Sequence, residues 1–338
     1  MKPMSGKSGV KRLVWRVACA AIALCVIAGC GPTYPKSRFK ESIVDICKRE
    51  YHIDVKADVS GKTIAIYLPL PNLIDFTFSI TKEAGDKIND VILSVSRVAL
   101  SSDAEFDFYC VIAHDIRIPE IQIIIIKSVD DVKRLLLNDI SRGEYSKRIL
   151  IDLRLSPQSQ KERSVKEVFQ RMGLDDKWQE QVMNDFFRSE PAALGDIGYW
   201  NNRFYIKDIT LPEFMAEQMT SRVKIAFKEE KDLSDGFTLR SAKGAYVSRP
   251  DKKYFKLEVL AEPKWFKEGQ SAQLSATITK ALLPIAAHVV HVYRFTDFDY
   301  VEILSQADGK LVRVKRDDLE KFRKKKLKFD DIMEGQQS

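Results

Sequence analysis

Along residues 37–136 the apolar positions switch between helical and alternating spacing, and from residue 211 a similar succession returns. The first stretch, SRFKESIVDICKREY at 37–51, sets Ile43, Val44, Cys47 and Tyr51 on one helix face. HIDVKADVS and GKTIAIYLP then alternate as two strands, and Ser60-Gly61 joins them as a hairpin. A long helix is predicted over about 81–99, followed by strands EFDFYCVIAHD and EIQIIIIK and a helix beginning SVDDVKRLLLNDI. In the second succession a helix, LPEFMAEQMTSRVKIAFKEE, precedes strands GFTLRSAKGAYVSR and KYFKLEVLAEP. Next come a long helix over 270–295 with Pro284 set to kink it, strands DYVEILSQ and KLVRVKR, and a helix beginning RDDLEKFRKKK. The closing junctions match in kind. Asp130-Asp131 and Asp317-Asp318 each fall in the first turn of a helix entered from a strand, where negative charge suits the exposed N–H groups.

This pattern predicts the α+β class: two helix-backed antiparallel sheet domains, read as a tandem repeat of an α-β-β-α-β-β-α unit. The competing reading is two unrelated α+β domains, which different strand orders in the two halves would favour. The expected boundaries are domain 1 at 38–155, connecting helices and linker at 156–210, domain 2 at 211–329 and a disordered tail at 330–338. Within the connection, KRILIDLRL reads as a further strand of domain 1. SPQSQKERS reads as linker, SVKEVFQRM and DKWQEQVMNDFF as short helices, and GYWNNRFYIKDITL as strand segments around an Asn201-Asn202 turn. IQIIIIK is β-branched and too short to span a membrane, and no stretch after the N-terminus reads as a spanning helix.

The N-terminus changes the picture. Residues 1–16 carry Lys2, Lys7, Lys11, Arg12 and Arg16 without an acid, and the apolar run Val17–Gly29 follows. That run is well short of the roughly 20 residues a membrane helix needs, and Arg16 interrupts its upstream extension. A basic start, a short apolar core and small residues at its end make a secretory signal pattern. Its last positions, Ile27-Ala28-Gly29-Cys30, resemble the lipobox of bacterial lipoproteins: an aliphatic residue, two small ones, then cysteine. The resemblance covers residues 1–30 only. It implies cleavage between Gly29 and Cys30, a signal peptide of 1–29, a diacylglyceryl group on the Cys30 thiol and a short tether over 30–37. It further implies a bacterial cell-envelope protein held to a membrane through its N-terminal lipid. With Gly31 where enterobacterial sorting uses aspartate for inner-membrane retention, it points to the outer membrane, facing the periplasm, in a Gram-negative host.

Composition must then be read without the leader. The whole chain is +7, but five positive charges lie in residues 1–29, leaving 50 basic against 48 acidic residues. The excess charge is a targeting feature and gives no footprint for nucleic acid. Of five cysteines, Cys19 and Cys25 leave with the signal and Cys30 is lipidated, so Cys47 and Cys110 remain. Both are placed facing one core, either as a disulfide pair or as two buried thiols.

Candidate chemistry is thin. There is no nucleophile elbow, HExxH, phosphate loop or dinucleotide fingerprint, and no cofactor or metal is expected. His288 and His291 lie about one helical turn apart in apolar IAAHVVHVY, which reads as core or interface. The strongest local charge feature is KFRKKKLKF, where Lys321, Arg323, Lys324, Lys325, Lys326 and Lys328 are candidate contacts to an anionic surface. The expected function is therefore a membrane-anchored envelope lipoprotein acting as a non-enzymatic scaffold or assembly module with envelope proteins or polymers as partners. The alternative is a binding protein for an anionic envelope polymer or lipid, and the third reading an enzyme of unrecognised type. An apolar pocket with convergent polar groups favours a binder or an enzyme, whereas a flat surface with an open strand edge favours the scaffold.

Overall fold

The computed structural model describes residues 34–75, 79–118, 121–155, 197–264 and 270–335. The lipobox, Cys30 and the signal segment lie outside them, as do the predicted linker SPQSQKERS and the helices SVKEVFQRM and DKWQEQVMNDFF.

After a 3-10 turn at Lys36–Arg38, the first half runs α1 (Phe39–Tyr51), β1 (Lys56–Ser60), β2 (Thr63–Leu70), α2 (Lys82–Leu100), β3 (Phe108–Asp115), β4 (Ile121–Ser128), α3 (Val129–Leu136), α4 (Arg142–Arg148) and β5 (Leu150–Leu155). A small hairpin follows, β6 (Gly198–Trp200) and β7 (Arg203–Tyr205). The second half runs α5 (Leu211–Glu229), α6 (Lys231–Gly236), β8 (Phe237–Arg249), β9 (Lys252–Pro263), α7 (Gln270–Val292), β10 (Tyr300–Ser305), β11 (Leu311–Lys315), α8 (Arg316–Arg323) and α9 (Phe329–Glu334).

The fold is α+β, and the two large sheets repeat one topology. The first has the order β1-β2-β3-β4-β5 and the second, read from its other edge, β8-β9-β10-β11. In each, an antiparallel hairpin (β1–β2, β8–β9) is followed by a helix crossover into a parallel pair (β2–β3, β9–β10) and a second antiparallel hairpin (β3–β4, β10–β11). A parallel pair needs a long connection, which α2 and α7 supply. Strand order therefore agrees between the halves, and β5 is an addition that pairs with β4 in the first sheet only.

Both faces of the first sheet are covered. Ile64, Ile66, Val111, Ile123 and Ile125 meet Ile43 and Cys47 of α1 and Val91 and Val95 of α2. On the opposite face Phe108, Cys110, Ile112 and Ile124 meet Tyr199, Ile209 and Phe214. The segment from Ile197 onward thus packs on the first sheet. Gln122 exchanges hydrogen bonds with the Tyr199 backbone, and Ile209 donates its N–H to Thr63 Oγ1 at 2.8 Å. Asn201 and Asn202, both at positive φ, close the β6–β7 hairpin as the asparagine pair predicts.

Strand parity decides between the two cysteine readings in favour of two buried thiols, and corrects the single core expected for them. Cys47 faces Tyr109 and Val111, whereas Cys110, one residue from each, points to the other side of the sheet. They do not bond; both are buried thiols. Burial also pushes the Cys47 thiol above its ordinary pKa. A thiol reagent is expected to find neither side chain until denaturant is added and then to titrate two thiols beyond those of the leader region. Reaction of either in the folded chain would contradict this packing.

Two further expectations change. The tail is not free through 335: α9 lays Ile332 into the second core, with Met333 packed against it. Helix α7 holds one stretch, Leu274–Val292, long and apolar enough to cross a membrane by length and composition. Its apolar positions are used within the fold, since Leu274, Ile278, Leu282, Ala286 and Val289 are buried against the second sheet and α5. The helix also runs through Pro284 as one element, although proline has no N–H to give the preceding turn.

Lys127 is a buried cation in β4, with Nζ 5.1 Å from the centre of the Tyr145 ring. Desolvation brings its pKa from 10.5 down to about 8. Below pH 8 the folded chain carries a buried ammonium. Between about pH 8 and 10.5 the unfolded chain binds more protons, so stability should climb with pH across that window. Lys127→Met should remove the climb and stabilise the chain at pH 7 by about 1–2 kcal/mol, as read by urea unfolding at several pH values.

Candidate functional site

The basic C-terminal run is divided by the structure into paired and unpaired cations. Lys321 meets Asp318 at 2.9 Å, and Arg323 and Lys324 meet Glu320 at 2.8 and 2.9 Å. Hydrogen bonds from Arg323 and Lys324 hold the Glu320 carboxyl down at about 2. Lys325, Lys326 and Lys328 are exposed, and their ammonium groups form no ion pair among the described residues, although the Lys328 backbone N–H bonds the Asp331 carboxylate at 2.9 Å. Helix α8 ends through a left-handed residue at Lys325, φ 58°. Lys326 N–H bonds back to the Lys321 carbonyl at 2.8 Å and Lys325 N–H to Phe322 at 2.9 Å. That closure favours glycine at the left-handed place, and a side chain there costs about 1 kcal/mol or more.

Lys325 and Lys328 border a groove of about 630 Å³ between α7 and the α8–α9 segment. Its apolar lining is Pro284, Ala287, Phe322, Leu327 and Phe329, and His288, His291 and the Glu320-paired Arg323 complete its rim. The chain thus brings the HVVH pair of α7 to the basic run more than thirty positions later. Of the six basic residues singled out in the sequence, Arg323, Lys325 and Lys328 line the groove, and Lys321, Lys324 and Lys326 do not. A smaller depression of about 350 Å³ adjoins it through Ala287 and His291, with Arg294 and Arg316 on its border. No three metal-ligating side chains come together among the described residues.

Behind the groove lies a buried polar junction between the halves. Arg148, at the end of α4, bonds Asp131 of α3 at 2.7 Å and Glu144 at 2.9 Å, with Arg148 and Asp131 side chains each 2 % exposed. Tyr293 donates its hydroxyl to the second oxygen of Asp131 at 2.7 Å, and Gln218 of α5 donates to both the Arg148 carbonyl and the Tyr293 oxygen. Burial opposes charge on Arg148, yet its bonds to Asp131 and Glu144 leave its pKa above the ordinary value. Burial and the Asp131 charge push the Tyr293 phenol up. His288 reaches from the groove into this junction, 3.6 Å from Glu144. Burial and then the Arg222 guanidinium lower its pKa, which favours neutral imidazole on the rim.

The sequence marks Asp130-Asp131 as first-turn residues suited to a helix start. Ser128 caps the helix, its Oγ accepting the Asp131 N–H at 3.4 Å, and the Asp131 carboxylate is the centre of the junction. No local spacing marks it, because its partners come from α4 and from the residue after α7. Comparison with known proteins finds no matching family model, no matching curated protein and no matching solved structure.

Proposed function

We propose that this chain is a bacterial cell-envelope lipoprotein, anchored through a lipid on Cys30, that works without catalysis and binds an anionic amphiphile. The lipobox resemblance supplies the address, and Gly31 places the proposal at the outer membrane, facing the periplasm, in a Gram-negative host. The observation that carries the binding reading is the α7–α8 groove, in which Phe322, Leu327 and Phe329 make an apolar lining beneath the unpaired Lys325 and Lys328. An apolar trough edged by cations suits a molecule with an acyl chain and a phosphate. Apolar burial holds the chain, and lysine binds phosphate as a point charge. An apolar trough with cations converging on it favours a binder over a scaffold.

The test is co-flotation of the full chain with phosphatidylglycerol vesicles and with phosphatidylcholine vesicles. The proposal predicts preference for the anionic vesicles, weakened by salt. Lys325→Glu with Lys328→Glu should lower that binding roughly tenfold or more, at about 1 kcal/mol per basic residue near the surface. Lys321→Glu with Lys324→Glu changes net charge equally but lies off the groove, and should cost less than about threefold. Equal effects of the two pairs would reduce the feature to bulk charge and overturn the groove.

A further inference from the structure

A cavity of about 540 Å³ lies where the two halves meet, within the range of small-ligand sites. The first half contributes Phe106–Phe108, Ser128 and the outer face of α3; the second contributes Leu211 and the end of α7, Val292 to Arg294. Its charges are mixed. Arg134 is already committed, bonding Asp139 at 2.6 Å and the Val292 carbonyl at 3.2 Å, and so ties α3 to α7. Lys133 and Arg294 have no ion-pair partner within 4.0 Å among the described residues, and neither has Asp130; Asp107 stands 3.7 Å from Lys62. Lys133, Arg294 and Asp130 therefore face one space outside any ion pair, while Arg134 and Asp139 neutralise each other at its edge.

The backbone adds a second observation. Arg294 ends α7 at φ 52°, with its N–H on the His291 carbonyl at 3.0 Å and the Phe295 N–H on Val290 at 3.1 Å. This is the closure seen at Lys325, again with a basic side chain where glycine is the unstrained choice. Backbone strain retained at a cavity wall points to a use for the side chain.

We propose that this cavity binds a zwitterionic headgroup, a phosphate joined to an amine by a short linker, as in phosphoethanolamine. Lys133 and Arg294 would take the phosphate and Asp130 the ammonium. Asp130 and Lys133 are three positions apart on α3, about 4.5 Å along the axis, the scale of a two-carbon spacer. Phe108, Leu211 and Tyr293 supply an apolar wall for the glycerol and first methylenes of a lipid. The described chain also begins beside this cavity. The Lys36 N–H bonds Asp103 at 2.6 Å, and the Phe39 ring lies 4.3 Å from that of Phe106, a cavity residue. From Cys30 to Tyr34 an extended chain spans at most about 14 Å, so an anchored protein would hold this opening near the headgroups. The choice of a lipid as source rests on the envelope reading above; the zwitterion itself rests on the cavity.

The test is calorimetric titration of the full chain in detergent with O-phosphoethanolamine, phosphate alone, ethanolamine alone, and short-chain phosphatidylethanolamine. Phosphoethanolamine should bind at least about tenfold more tightly than either fragment. Arg294→Gly should lose roughly tenfold in affinity while its melting temperature holds or rises, a combination that a purely structural role would not give. Asp130→Asn should bring phosphoethanolamine down to the affinity of phosphate alone. Tighter binding of the lipid supports the membrane source, and equal affinity supports the site with soluble phosphoethanolamine as ligand. Phosphate alone binding as well as phosphoethanolamine, or wild-type affinity in both variants, would overturn the proposal. Lys325→Glu with Lys328→Glu should leave this binding intact, so failure of the groove and failure of the cavity remain distinguishable.

Discussion

Arg148→Met is expected to destabilise the chain by about 3–5 kcal/mol, the cost of removing one partner from a buried ion pair. The guanidinium is held between Asp131 and Glu144, 5.2 Å from the centre of the Tyr293 ring. Methionine restores much of the packing volume but leaves the Asp131 carboxylate buried with the Tyr293 hydroxyl as compensation. Because α3, α4, α5 and the end of α7 all meet there, the loss should fall on the junction of the two halves as well as on global stability. Urea unfolding measures the first effect, and hydrogen exchange across 211–223 and 286–293 the second. The companion change Arg148→Met with Asp131→Leu should recover most of the loss, since an apolar pair needs no desolvation of charge. A single-variant cost below about 1 kcal/mol would show that the pair is solvated and the junction open.

Gly244→Ala is expected to cost about 3 kcal/mol, although it adds a single methyl group in a strand. At Gly244 of β8 an added Cβ would come closer to the Ala216 carbonyl oxygen than the 3.0 Å that real side-chain carbons keep, with the Ala216 carbon and Thr220 Cγ2 at 3.0 Å. The nearest atoms are α5 backbone, so relief requires the helix to lift from the sheet. Ala216 and Thr220 are fully buried, and lifting would open the second core along Met215, Met219 and Phe255. Gly236→Ala is the control: a Cβ there meets nothing within 4 Å, and its melting temperature should stay near that of the parent. Equal tolerance of both substitutions would mean that α5 does not sit this close to β8.

Much of this fold was readable because its elements have clean periods. Ile64 and Ile66 alternate with Ala65 and Tyr67, and Ser60-Gly61 marks a hairpin that forms with Gly61 at φ 57°. The order of elements, read twice along the chain, proves to be the order of pairing in both sheets. What stayed hidden depends on which face a helix chooses. Parity puts Cys110 opposite Tyr109, but only the placement of α1 decides that Cys47 meets the odd positions. The tail at 330–338, DDIMEGQQS, is short and polar and carries no core signal, while its Ile332 finds a place in a core formed mostly by residues far earlier. The groove is a combination of two features that were each visible and separately unremarkable. HVVH reads as a core pair and KFRKKKLKF as a solvated end until α7 and α8 set them side by side. The left-handed Arg294 and Lys325 had no local signal either, since glycine or asparagine would normally mark such a helix end.

The envelope address proposed for this chain depends on where the mature chain begins. Mass spectrometry of the N-terminal peptide of the full-length product, expressed in a bacterium, tests it directly. The expected product is a chain starting at Cys30, with a diacylglyceryl group on its thiol and residues 1–29 gone. An intact Met1–Gly29 segment, or an unmodified Cys30, would contradict it.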